Sequence, residues 1–365
     1  MTTGVDISDS QAAAAPVSTD TWRPELGDIV AWTAQRAGDV DGAGSDVRPA
    51  LCRLGAAGLL DRGTPDGAGT LGEQVEVTRA LAQSCVATAF SAWAQRMAIG
   101  YLASWGGAQL RGALLPSLVS GERAGATAMA TAFQDALGLK QVAVHARPDG
   151  DEVVLDGTIP WASNLFPDGA VVVLPARTVD GRRLIVAITT DLDGVGLAPY
   201  PPLLALGATA STSMALDGVR IPAAWVLTDR FLDFLTDVRP AFLLLQVAFC
   251  LGLADAALSG ADGRFVGVAG ALADDHHRLV ERRDDLDRTL RRLLADRAAP
   301  TVELVRLRLA AGQLGVDATR HESTVRGGAG FLAGSPTARR LREAAFLPIQ
   351  SPTEAQLRWE LSQSA

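Results

Sequence analysis

Three short stretches combine side chains, or the lack of them, in ways that suit binding chemistry. Arg326-Gly-Gly-Ala-Gly-Phe331 strips side chains from Gly327, Gly328 and Gly330. Such a cluster lets backbone amides approach a dinucleotide closely, although it also reads as an ordinary helix-ending turn. It is followed by Pro336, Arg339 and Arg342, then by Ile349-Gln-Ser-Pro-Thr-Glu-Ala-Gln-Leu357. Upstream, Trp161 and Ser163 pair an aromatic wall that excludes water with a hydroxyl that can tune a flat ring. The competing reading is a β-core tryptophan beside a turn serine.

The remaining reactive side chains form no recognisable centre. His276 and His277 adjoin Asp274 and Asp275, where consecutive residues on a helix point apart, so solvent is their expected setting and metal binding is not expected. His145 and His321 are isolated. Cys52, Cys85 and Cys250 are widely separated, odd in number and without a CxxC, which predicts buried apolar residues rather than disulfides or thiolate ligands.

The elements that must position these residues follow from composition and period. The chain has 365 residues, 48% apolar and 20% charged, long enough for two or three packed units around a large core. A net charge of -8 argues against a nucleic-acid face. Arginines are dense at 278–298 and 339–342, where an anionic cofactor could sit or a helix face could simply be solvated. The first residues lack a basic n-region and a long apolar run, and no later run reads as spanning a bilayer without charges, so a cytoplasmic protein with a disordered tail over 1–21 is expected.

From 22 to 124 the apolar period is helical. Arg48 to Leu60 reads as a helix closing on glycine, and Leu71 to Ala103 places Val77, Leu81, Cys85 and Ala89 on one helical row. From 125 to 227 the runs at 141–144, 152–157, 170–174 and 184–188 are short, β-branched and bounded by turn residues, the pattern of a small β domain. From 228 to 365 helix returns, with Leu272, Leu279, Leu286, Leu290 and Leu293 forming a seam that suits a bundle.

This order of helices, small β unit and helices, together with local sequence, resembles the acyl-CoA dehydrogenase superfamily along nearly the whole chain. The similar segments are Leu54-Gly-Ala-Ala-Gly-Leu-Leu60, Leu115-Pro-Ser-Leu-Val-Ser-Gly-Glu122, Asp156-Gly-Thr-Ile-Pro-Trp-Ala-Ser-Asn164, Leu216-Asp-Gly-Val-Arg-Ile-Pro222 and the glycine-to-Leu357 stretch. The resemblance implies an α+β fold with an N-terminal helical domain, a central β domain and a C-terminal four-helix bundle. It implies FAD, with Trp161 packed near the isoalloxazine, Ser163 approaching N5, Thr131 at the pyrimidine edge, and Gly327, Gly328 and Thr353 contributing to the cofactor site.

The sequence departs from that pattern where chemistry is expected. Ser351 stands where the family most often carries its catalytic glutamate, and a neutral hydroxyl cannot take a thioester α-proton without a base beside it. The family's other base position falls on Val238 or Phe242, neither a carboxylate; Asp237 and Glu354 are the nearby acids, and surface or capping roles suit both better. Ile159 replaces a lysine, Thr324 a glutamine, and the loops at 134–138 and 260–267 fit poorly, with Arg264 either a displaced cofactor contact or an exposed loop residue. The expected function is a flavoprotein oxidoreductase of lipid metabolism, acting on an acyl-CoA or carrier-bound acyl group as a homo-oligomer or beside a related dehydrogenase subunit. The alternatives are a flavin-dependent monooxygenase on the same scaffold and a non-catalytic partner subunit.

Overall fold

The computed structural model describes residues 22–296 and 298–364; the tail expected over 1–21 lies outside them. Five helices come first: α1 (Trp22–Asp41), α2 (Arg48–Ala56), α3 (Leu71–Ser84), α4 (Val86–Trp105) and α5 (Ala108–Val119). Thr70 and Glu73 start α3 with a reciprocal capping box. The single helix expected from Leu71 to Ala103 is two, because Cys85 takes an extended conformation (φ -159°, ψ 113°) that ends α3 and starts α4. Even so, Val77, Leu81, Cys85 and Ala89 are all fully buried, so the apolar row survives the break. The fresh N-terminus of α4 is met by the Glu343 carboxylate, which accepts from the Val86 amide at 3.2 Å.

The central region is one sheet of eight strands: β1 (Gly125–Thr127), β2 (His145–Asp149), β3 (Glu152–Ala162), β4 (Val171–Thr178), β5 (Arg183–Thr189), β6 (Val195–Leu197), β7 (Thr212–Pro222) and β8 (Val226–Thr228). Their order is β6-β7-β3-β2-β4-β5-β8, with β1 added beside β4. One expectation changes here: the run 141–144 is not a strand, pairing beginning only at His145. A short helix, α6 (Ala130–Ala136), follows β1 and carries Thr131.

Five further helices complete the chain: α7 (Phe231–Ala261), α8 (Ala273–Ala295), α9 (Thr301–Arg326), α10 (Pro336–Ala344) and α11 (Glu354–Gln363). By length and composition α7 is apolar enough to cross a membrane, yet 83% of its most apolar window is buried inside the protein. Leu290 and Leu293 of the α8 seam enter the main core, while Leu279 and Leu286 pack on it half-buried.

Two side-chain expectations fail in the helical part. His276 is buried rather than solvated, held by Asp262 at 2.9 Å and packed near Phe265 and His321, because the preceding loop folds over its side of α8. Desolvation and the neighbouring His276 both push the His321 imidazole below its ordinary pKa. Cys85 and Cys250 are buried as expected, but Cys52 is exposed on the outer face of α2.

Candidate functional site

The end of β3 is where the sequence builds a precise polar corner. Asn164 adopts φ 61°, a conformation that asparagine tolerates better than most residues. From there its amide nitrogen donates to the carbonyls of Ser91 on α4 and Gly125 at the start of β1, both at 2.9 Å. Backbone bonds from Asn164 to the Thr209 carbonyl and from Leu165 to the Ala210 carbonyl lay this strand end against the loop before β7. Ser163, Ser211 and Thr209 thereby become neighbours: their hydroxyls are 2.5 Å apart for Ser163 and Ser211, and 2.7 Å for Ser211 and Thr209.

Beside this corner Trp161 is 52% exposed, so it is not a β-core tryptophan. It lines a largely apolar cavity of about 170 Å³ with Leu203, Leu206, Thr209, Ser211, Phe90 and Phe346. Arg342 reaches the same cavity and is oriented by Asp41 at the end of α1, whose other carboxylate oxygen accepts from the Leu206 amide. One buried carboxylate therefore ties α1, the loop before β7 and α10 together at the cavity rim. The next residue, Glu343, is buried beneath, and desolvation pushes its carboxyl up to about 7 against the opposing pull of Arg339.

Ser351 follows the cavity-lining Ile349, and its hydroxyl oxygen is buried without a hydrogen-bond partner. Its carbonyl accepts from Gln246 of α7 at 2.9 Å. Gln246 in turn accepts from Arg308 of α9 at 2.8 Å, and Arg308 also donates to the Leu347 carbonyl and to Gln350. This guanidinium is 1% exposed, and its bonds run to neutral oxygens rather than to a carboxylate. A fixed cation thus underlies the segment where a catalytic carboxylate was sought.

None of the alternative positions foreseen in the sequence puts a base at the cavity. Phe242, at one of the alternative positions on α7, packs edge-on to Trp93 and against Phe133, each at 5.0 Å between ring centroids. Asp237 accepts from the Trp105 indole at 2.8 Å and does not line the cavity. Glu354 is bonded to Arg358 at 2.6 Å, and that bond holds its carboxyl below the ordinary glutamate pKa. Among the described residues, the lining of the cavity contains no aspartate, glutamate or histidine.

The remaining predicted positions are not gathered at the cavity. Thr131 lies on α6, buried. Gly327 and Gly328 form an exposed turn after α9, where Gly327 has φ 55° and a side chain on either would meet nothing within 4 Å. Thr353 caps α11, accepting from the Gln356 amide. Thr324 is exposed, and Arg264 bonds only the nearby Gly260 carbonyl. The sequence reading missed Thr209, Ser211, Asp41, Gln246 and Arg308. A clustered Thr-Ala-Ser at 209–211 was a weak signal for the first two, and nothing local marks the rest.

No protein-family model matches the chain, and no curated protein sequence matches it. Solved structures do. One described as FkbI, for biosynthesis of the methoxymalonyl extender unit of the Fk520 polyketide, is 23% identical with a TM-score of 0.79, covering 93% of this chain and 98% of that one. A glutaryl-coenzyme A dehydrogenase bound to glutaryl-CoA is 17% identical with a TM-score of 0.84, over 96% of both chains. The prolyl acyl carrier protein oxidase AnaB is 17% identical with a TM-score of 0.81, covering 95% of this chain and 99% of that one. These likenesses cover 93–96% of the chain, which therefore has the fold of the acyl-CoA dehydrogenase superfamily along nearly its whole length.

Proposed function

We propose that the protein is a flavin-dependent oxidoreductase that acts on an acyl thioester, carried by coenzyme A or by a carrier protein. The observation that carries this reading is the half-exposed Trp161 face beside the Ser163–Ser211 hydroxyl pair at the mouth of an apolar cavity. The buried, unpartnered Ser351 hydroxyl, with hydrogen-bonding capacity left unused, and the exposed Gly327–Gly328 turn, with open space beside its backbone, fit FAD as well. FAD would supply the two-electron chemistry. Trp161 would cover the ring, Ser163 would bond it, and the glycine turn would receive phosphate.

Oligomer formation belongs to the same reading. Beyond the glycine turn, Phe331 is 83% and Leu332 66% exposed, and Val266 and Val268 of the loop before α8 are also exposed. Such side chains suit burial against a second subunit, either another copy or a related dehydrogenase chain.

One observation favours a second reaction class. A cavity lined, among the described residues, by no carboxylate or histidine is poorly equipped to remove an α-proton and better suited to oxygen-dependent flavin chemistry that needs no such base. Mixing the FAD-loaded protein anaerobically with saturated acyl-CoA and acyl-carrier thioesters separates the two. Flavin bleaching without oxygen supports dehydrogenation; oxygen uptake driven only by externally reduced flavin supports the monooxygenase; neither, with flavin bound, leaves a non-catalytic subunit and refutes both.

A further inference from the structure

The hydroxyls of Ser163, Ser211 and Thr209 form a chain that can run in only one direction. Thr209 Oγ1 lies 2.8 Å from the Leu206 carbonyl oxygen, which can only accept, so its single hydrogen is committed there. Thr209 must then accept from Ser211 at 2.7 Å, and Ser211, its own hydrogen used, must accept from Ser163 at 2.5 Å. Ser163 is left with no hydrogen to offer and with acceptor lone pairs only.

The anchor of this chain is built to stay put. Leu206 and Ala210 have φ of 62° and 45°, conformations that cost free energy for residues with side chains and persist where the surroundings enforce them. Here the enforcement is visible: the Leu206 amide donates to the buried Asp41 carboxylate, the Gly207 amide to the Asp41 carbonyl, and Thr209 is completely buried.

We infer that Ser211 and Thr209 are positioning residues that hold Ser163 as an obligate hydrogen-bond acceptor, so that the site prefers a ring nitrogen bearing a proton over the same nitrogen bearing a lone pair. In flavin terms the preference is for the reduced state, whose N5 carries hydrogen, over the oxidised state. This rests on the flavin reading above, with Ser163 beside N5.

The test uses the full chain, oxidised and reduced FAD titrated separately under anaerobic conditions, and the midpoint potential of the bound flavin. Ser211→Ala returns the Ser163 hydrogen to the cofactor side. It is expected to strengthen oxidised relative to reduced binding by about tenfold, equivalent to a fall of about 30 mV for a two-electron couple. Thr209→Val shifts the ratio in the same direction, Thr209→Ser retains the wild-type value, and Ser211→Ala adds nothing once Ser163 is alanine. An unchanged ratio in Ser211→Ala, beside a clear shift in Ser163→Ala, overturns the relay while leaving the flavin site standing. A folded wild-type chain that binds neither form overturns the flavin reading and the relay with it.

Discussion

Replacing Arg308 by methionine tests whether the segment carrying Ser351 is held by a buried cation. The side chain is 1% exposed and donates to Gln246, Gln350 and the Leu347 carbonyl at 2.8, 2.8 and 3.1 Å. Methionine fills similar volume and removes the desolvation cost of the charge, which by itself is stabilising. Against that, three buried acceptors lose their donor, at roughly 1–3 kcal/mol each. The second effect wins because all three oxygens stay buried, leaving a net loss of about 3 kcal/mol. At about 2 °C per kcal/mol for a chain of this size, calorimetry should find melting about 6 °C lower. Amides of 346–351 should exchange faster than those of β4. Arg308→Lys, which keeps the charge but not the planar fork, should recover part of the loss. An unchanged or higher melting temperature in Arg308→Met, with exchange at 346–351 unaltered, refutes the reasoning.

Three further outcomes follow from the geometry. Asn164→Ala removes two hydrogen bonds of 2.9 Å and puts a less tolerant residue at φ 61°; the expected loss is about 2–4 kcal/mol in urea unfolding, and less than about 0.5 kcal/mol contradicts it. Burial raises the Glu343 carboxyl from its ordinary value of 4.5 to about 7, so the folded state binds the extra proton and this group's contribution to stability declines as pH rises through that window; Glu343→Gln should flatten this part of the stability profile, and an unaltered slope refutes the assignment. Ser351→Glu should gain less than about tenfold in acyl-CoA dehydrogenation, against the ~10²–10⁴ a well-placed base contributes, because the cofactor contacts expected at Thr324 and in the 260–267 loop are altered as well; a larger gain contradicts that picture.

Much of the scaffold was legible because it rests on local pattern. The row from Val77 to Ala89, the β-branched runs entering β3, β4 and β5, and the leucine seam of α8 all report burial through period. The break at Cys85 was not, since an extended residue between two apolar helices leaves the spacing of the row intact. The site was legible on one side only. Trp161 and Ser163 lie two residues apart on a strand end, whereas Asp41 meets Arg342 and Gln246 meets Arg308 across the fold, between segments with no sequence signal linking them. The missing carboxylate at Ser351 was plain in the sequence; the buried cation behind it needed three dimensions.

Titration of FAD into the purified full-length chain, followed by tryptophan fluorescence in parallel with Trp161→Phe, tests the central claim most directly. A flavin site on the acyl-CoA dehydrogenase fold predicts saturable binding, with a quenching component that disappears in the variant while the flavin absorbance change remains. Failure of the folded chain to bind FAD, alone and with a related dehydrogenase subunit present, or quenching identical in Trp161→Phe, would contradict it.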